Sequence, residues 1–115
     1  MNQPSHPAKI AELIVDAMRD GHKITEIRPD YIPADAAGAY ALQREILRLR
    51  ETTVGGWKVG SKSTSGGPIN GALLPEDGLF ASGSQVEIVD YPHPILELEI
   101  AFRLNREFAP RTEPY

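Results

Sequence analysis

The sequence contains no cysteine, which excludes a disulfide framework, a thiolate metal site and a cysteine nucleophile. It contains no run approaching the roughly 18 apolar residues that a membrane-spanning helix requires. Its opening stretch, residues 1–7, lacks the basic and apolar regions of a secretory signal. Positive charge is not in excess either. Twelve Lys+Arg against 16 Asp+Glu give a net charge of −4, with both signs interspersed, which argues against a nucleic-acid footprint and against a basic membrane-surface helix. The expectation is a soluble cytoplasmic protein with no nucleic-acid or membrane partner. The three histidines, His6, His22 and His93, share no metal-ligand spacing and read as surface residues. What remains is ordinary globular composition. Hydrophobic residues make up 41% of the 115 residues and charged residues 24%, enough for one domain with a core and inconsistent with disorder.

Two helices are expected first. Ile10, Leu13, Ile14, Ala17 and Met18 recur at helical spacing between Ala8 and about Arg19, with Pro7 at the start and Gly21 at the stop. Pro29 and Pro33 then deny a regular helix to the connector. The second helix is expected from Asp35, a good N-cap type, to Arg50, with Ala39, Leu42, Ile46 and Leu49 as its stripe and Tyr40 and Leu47 widening it. Arg44, Glu45, Arg48 and Glu51 fall on the solvated side.

After Val54 the texture changes to short extended elements. Gly55–Gly60 reads as a strand, residues 61–67 as a Ser/Gly loop, and Gly71–Gly78 as a short element ending in a turn. Residues 84–89 and 95–104 read as further strands. Helices followed by short strands predict an α+β fold rather than alternating βαβ units.

The last of these strands alternates most cleanly. Leu96, Leu98, Ile100, Phe102 and Leu104 share one face, which is expected to be core. Glu97 and Glu99 share the other, with Cα atoms roughly 6.5–7 Å apart. One reading is the solvated face of an antiparallel sheet. The sharper reading is a pair of carboxylates converging on a hard cation such as Mg²⁺, which relieves their repulsion. Lys58, between Trp57 and Val59, points away from both. It is either a surface lysine or a cationic donor to a carboxylate or enolate oxygen, or a proton carrier if desolvation lowers its pKa. Gly55–Ser63 nearly fits a P-loop, but Ser61 stands where the lysine belongs and no helix clearly follows.

Gly56-Trp57-Lys58-Val59-Gly60, followed by Glu97-Leu98-Glu99-Ile100-Ala101-Phe102, resembles the 2-keto-4-pentenoate hydratase/4-oxalocrotonate decarboxylase family of the fumarylacetoacetate hydrolase superfamily. Ala39-Tyr40-Ala41-Leu42-Gln43 and Arg103–Phe108 fit the same order, so the resemblance covers nearly the whole chain. It implies an incomplete fumarylacetoacetate-hydrolase-like fold, with a helical region at 1–53 and the start of a β-rich catalytic region at 54–115 within one truncated domain. It implies Glu97 and Glu99 as ligands of Mg²⁺ or Mn²⁺ and Lys58 as an active-site residue. The implied partner is a small 2-oxo acid, and the implied reaction is water addition to a conjugated double bond.

Two departures accompany the resemblance. Pro68-Ile69-Asn70-Gly71 stands where many such hydratases carry a Pro-Asp-aromatic-Gly element, so a candidate acid/base carboxylate is missing. The family's third glutamate ligand lies beyond the pair, outside these residues, so the chain reads as an N-terminal half. Decarboxylation or C–C hydrolysis of a related oxo acid therefore stays open, as does a non-catalytic interaction module. The apolar face at 96–104 predicts a homo-oligomer or an aggregation-prone chain.

Overall fold

The computed structural model describes residues 6–61, 69–91 and 94–113. Helix α1 spans His6–Asp20 and α2 spans Ala36–Leu49, and the two pack together. Strands β1 (Val54–Ser61) and β2 (Ile69–Pro75) form a two-stranded antiparallel sheet. The architecture is α+β, as the composition of elements predicted. Single 3-10 turns stand at Pro29–Tyr31, Glu76–Gly78 and Ile88–Asp90. Among the described residues no helix is long and apolar enough to cross a membrane.

Local chemistry accounts for these boundaries. Asp35 accepts a 2.7 Å hydrogen bond from the Gly38 amide, capping an otherwise unsatisfied donor of α2. Both helices end in the same paired-turn motif. The His22 amide donates to the Ala17 carbonyl and the Thr52 amide to the Leu47 carbonyl, each at 3.1 Å. The residue just past α1 is Gly21, at φ 66°, whereas α2 places Glu51 there at φ 54°. A side chain in this left-handed region costs about 1 kcal/mol relative to glycine. Glu51→Gly is therefore expected to raise stability by about 1 kcal/mol in urea denaturation, and an unchanged midpoint would contradict the strain.

The buried core is small: Ile10, Ala11 and Ala17 from α1 and Leu47 from α2. Met18, placed on the α1 stripe by its spacing, is instead exposed, and Leu47 is more deeply buried than the residues around it on α2. The α1 stripe is thus buried at Ile10 and Ala17, half-buried at Leu13 and Ile14 between them, and open at Met18.

In the sheet, Lys58 pairs with Ala72 and Trp57 with Leu73, and the register slips by one residue at Gly55. A Cβ at Gly55 would lie 2.7 Å from the Glu76 Cα, so the bulge accepts only glycine without backbone movement. Helix α2 covers the outer edge of β2. The Gly71 amide donates to the Tyr40 hydroxyl at 2.8 Å, and the Leu73 amide to the Gln43 Oε1 at 2.7 Å. The turn after β2 is clamped to the end of α2 by Arg50–Asp77 at 2.8 Å and by Thr53 donating to Glu76 at 2.6 Å. Arg50 is consequently half-buried and paired rather than simply solvated.

Two expected strands do not form. Residues 84–89 are irregular and lead into the turn at Ile88–Asp90, where amides of Asp90 and Tyr91 bond back to Glu87 and Ile88. Those local bonds satisfy the backbone without a ladder. Residues 95–104 have the alternation of a strand but no neighbour. Their apolar face, expected to be core, is open to solvent, with Leu98 95% and Leu104 70% exposed. Strand backbone needs an adjacent ladder, and β2's outer edge is already taken by Tyr40 and Gln43. The Ser/Gly loop at 61–67 lies outside the described residues except for Ser61, which ends β1, and Pro68 lies outside them too.

Candidate active site

Lys58 sits mid-strand in β1, and the pleat turns it to the face opposite Trp57 and Val59. Its same-face neighbours along β1 are Gly56 and Gly60, and its cross-strand partner is Ala72. The lysine therefore rises from a floor of minimal side chains. Its ammonium reaches the side chains of residues 97 and 99. The Lys58 ammonium donates to the Glu97 carboxylate at 2.7 Å and also to the Glu99 carboxylate. Three residues singled out separately in the sequence thus meet at one ammonium.

The electrostatics follow from this geometry. Hydrogen bonds donated to Glu97 and Glu99 hold the Lys58 pKa above its ordinary value, outweighing the opposing effect of desolvation. This direction favours the protonated ammonium, a cationic hydrogen-bond donor. The Lys58 hydrogen bond, with its positive charge, holds the Glu97 carboxyl below the usual range. A depressed carboxylate pKa means the contact is intact above the ordinary glutamate value and is lost as pH falls through the lowered one. In carboxyl-carbon NMR, Glu97 is expected to titrate below about 4.3, the free-glutamate value. A midpoint at or above that value would contradict the contact.

Glu97 and Glu99 offer hard oxygen donors suited to Mg²⁺ or Mn²⁺. Among the described residues no group of three or more His, Cys, Asp or Glu side chains could hold a metal ion. A divalent cation here would rely on two protein carboxylates, with water and substrate completing its shell, a manner of binding common for Mg²⁺. The donor set fits such an ion, and Lys58 already supplies one positive charge where the ion would supply two.

A pocket of about 550 Å³ lies elsewhere. Ile14, Ala17 and Met18 of α1 line it opposite Asp90, Tyr91 and Ile95, and none of the three charged residues reaches it. His22 lies on its rim, the His6 side chain and His93 lie outside the described residues, and no histidine joins the lysine–glutamate cluster. Gly55–Ser61 of the near P-loop is strand, while Lys62 and Ser63 lie outside the described residues.

The chain is 33% identical over 107 residues to a 2-oxo-hept-4-ene-1,7-dioate hydratase of Escherichia coli. The match is to a hydratase. It covers 84% of this chain but only 40% of that relative's length. The likeness supports a relationship to hydratases at the level of family. No family model matches the chain, and no solved structure matches it.

Sequence reasoning read Arg50, with Arg44 and Arg48, as a solvated helix face, passed over Asp77, and took Gln43 only as part of a motif. A glutamine on the half-buried face of α2 was the available signal for a backbone-capping side chain.

Proposed function

We propose that this chain carries part of a metal-dependent, hydratase-type lyase site that adds water to a 2-oxo-alkenoate or its 2-hydroxy-2,4-dienoate tautomer. The observation that carries the reading is the meeting of Lys58, Glu97 and Glu99. The hydratase likeness supports the reaction class. Glu97 and Glu99 would hold a Mg²⁺ or Mn²⁺ ion, which when bound supplies Lewis-acid polarisation of the substrate's oxo group.

The dienoate first ketonises, losing its enol proton from the C2 oxygen and gaining a proton at C5. In the addition itself, the water oxygen then bonds to C4 of the resulting 2-oxo-3-alkenoate, and a proton ends on C3. Negative charge develops meanwhile on the C2 oxygen. Lys58, favoured as the protonated ammonium, is suited to donate a hydrogen bond to that oxygen or to the substrate carboxylate, and so to orient the anion. It is not suited to abstract the proton from water. The glycine and alanine floor beside it leaves space for a small planar acid. The helical region at 1–53 would serve as scaffold, with β1 and residues 95–104 supplying the site.

The test is loss of the dienoate ultraviolet absorbance when 2-hydroxypenta-2,4-dienoate is mixed with protein and Mg²⁺. A protein that supplies the rest of the site beside this chain is expected to give Mg²⁺-dependent loss with formation of 4-hydroxy-2-oxopentanoate, and the 115-residue chain alone none. Release of CO₂ from 4-oxalocrotonate without hydration of the pentadienoate would assign decarboxylation, and no reaction with either acid would favour a non-catalytic module.

A further inference from the structure

The pairing of β1 with β2 sets a second polar side chain beside the lysine. Cross-strand partners share a face, so Gly56, Lys58 and Gly60 of β1 stand with Leu74, Ala72 and Asn70 of β2. Of these six, only Lys58 and Asn70 carry polar side chains. Asn70 is the diagonal neighbour of Lys58, their Cα atoms roughly 7–8 Å apart, within the reach of a long side chain.

The two ends of this face differ. A Cβ at Gly56 would lie 3.7 Å from the Leu74 Cδ1 and 3.9 Å from the Leu79 Cδ1, so leucines fill that end. A Cβ at Gly60, opposite Asn70, would meet no described atom within 4 Å. Asn70 is exposed, and its side chain bonds to no described residue. Tyr40 and Gln43, by contrast, are already bonded to the edge of β2. An unengaged carboxamide thus stands beside open space, one pair along the ladder from a cation.

On the reading of Lys58, Glu97 and Glu99 as a 2-oxo acid site, we infer that Asn70 is a further substrate-binding residue. Its side-chain amide donates to the substrate carboxylate above Gly60, and the Lys58 ammonium is left for the C2 oxygen. A 2-oxo acid carries these oxygens on adjacent carbons, so two donors rising from one face take one each. An amide donates its N–H groups without bringing a charge. The site already holds one ammonium and two carboxylates, and a second cation would compete with Lys58 for the glutamates. A third carboxylate would repel the acid.

Pyruvate binding to the Mn²⁺-saturated chain, followed by calorimetry, tests the assignment. Asn70→Ala is expected to weaken pyruvate about tenfold, the loss of one hydrogen bond to a charged group. Asn70→Asp is expected to weaken it about 100-fold, because it keeps the shape but sets a carboxylate against a carboxylate. A residue that only shaped the hairpin would rank the two the other way, since aspartate is the closer fit. Neither change should weaken Mn²⁺ binding or lower the unfolding midpoint. Gly60 is not among the glycines at positive φ, so Gly60→Val adds a side chain without backbone strain. It should abolish pyruvate binding and leave Mn²⁺ binding intact. Undiminished pyruvate binding by Asn70→Ala or Gly60→Val, or tighter binding by Asn70→Asp than by Asn70→Ala, would overturn the role of Asn70 and leave the lysine–glutamate reading standing. No pyruvate binding by the unaltered chain with Mn²⁺ would overturn both.

Discussion

Replacing Glu97 and Glu99 together by glutamine is expected to weaken Mn²⁺ binding by more than about 100-fold, to the point where titration calorimetry records no heat. Glutamine keeps the shape of each side chain but removes both negative charges, and no third carboxylate among the described residues could take over. Both glutamates are more than half exposed, so the unfolding midpoint should not move. Equal Mn²⁺ binding by both forms would remove the ion from this site and return the pair to an ordinary solvated face.

Lys58→Met is expected to act in opposite directions on binding and turnover. Without the ammonium, the two carboxylates lose their resident counter-charge, so Mn²⁺ should bind severalfold more tightly. In a protein that supplies the rest of the site beside this chain, hydration of 2-hydroxypenta-2,4-dienoate should nevertheless fall by about 10²–10³-fold, because the fixed donor for the developing charge is gone. This split separates Lys58 from a merely structural residue. A lysine that only tethered residues 97–99 would have no reason to tighten the metal while slowing the reaction. Unchanged turnover and unchanged Mn²⁺ affinity would make it a surface lysine.

The helices were legible because their signals are local. Asp35 caps within three residues of its own position, and the α2 stripe requires only a 3.6-residue period. Strand β1 was legible from its flanking glycines, whereas β2 was read only as a short element at Gly71–Gly78 and its pairing with β1 was not read. Residues 95–104 show where such reading stops. Alternation at Leu96, Leu98 and Ile100 records that one face is apolar, but it does not say which strand pairs alongside or what covers that face. The structure leaves both unanswered within the described residues, and the expected core became exposed surface. The cluster lay between these cases. Lys58, Glu97 and Glu99 could each be picked out by residue type, but Lys58 lies 39 residues from Glu97 and 41 from Glu99. Their meeting depends on how the chain returns past β1, which no local pattern encodes. The Tyr40 and Gln43 caps on β2 depend on the packing of α2 in the same way.

If Lys58, Glu97 and Glu99 form one site for a divalent cation and a 2-oxo acid, the two ligands must bind cooperatively. The direct measurement is pyruvate binding followed by calorimetry with and without saturating Mn²⁺. Pyruvate should bind in the presence of Mn²⁺, bind negligibly without it, and lose that dependence in the Glu97→Gln/Glu99→Gln chain. Pyruvate binding that is equally strong with and without Mn²⁺, or unaltered by the double substitution, would contradict a shared site.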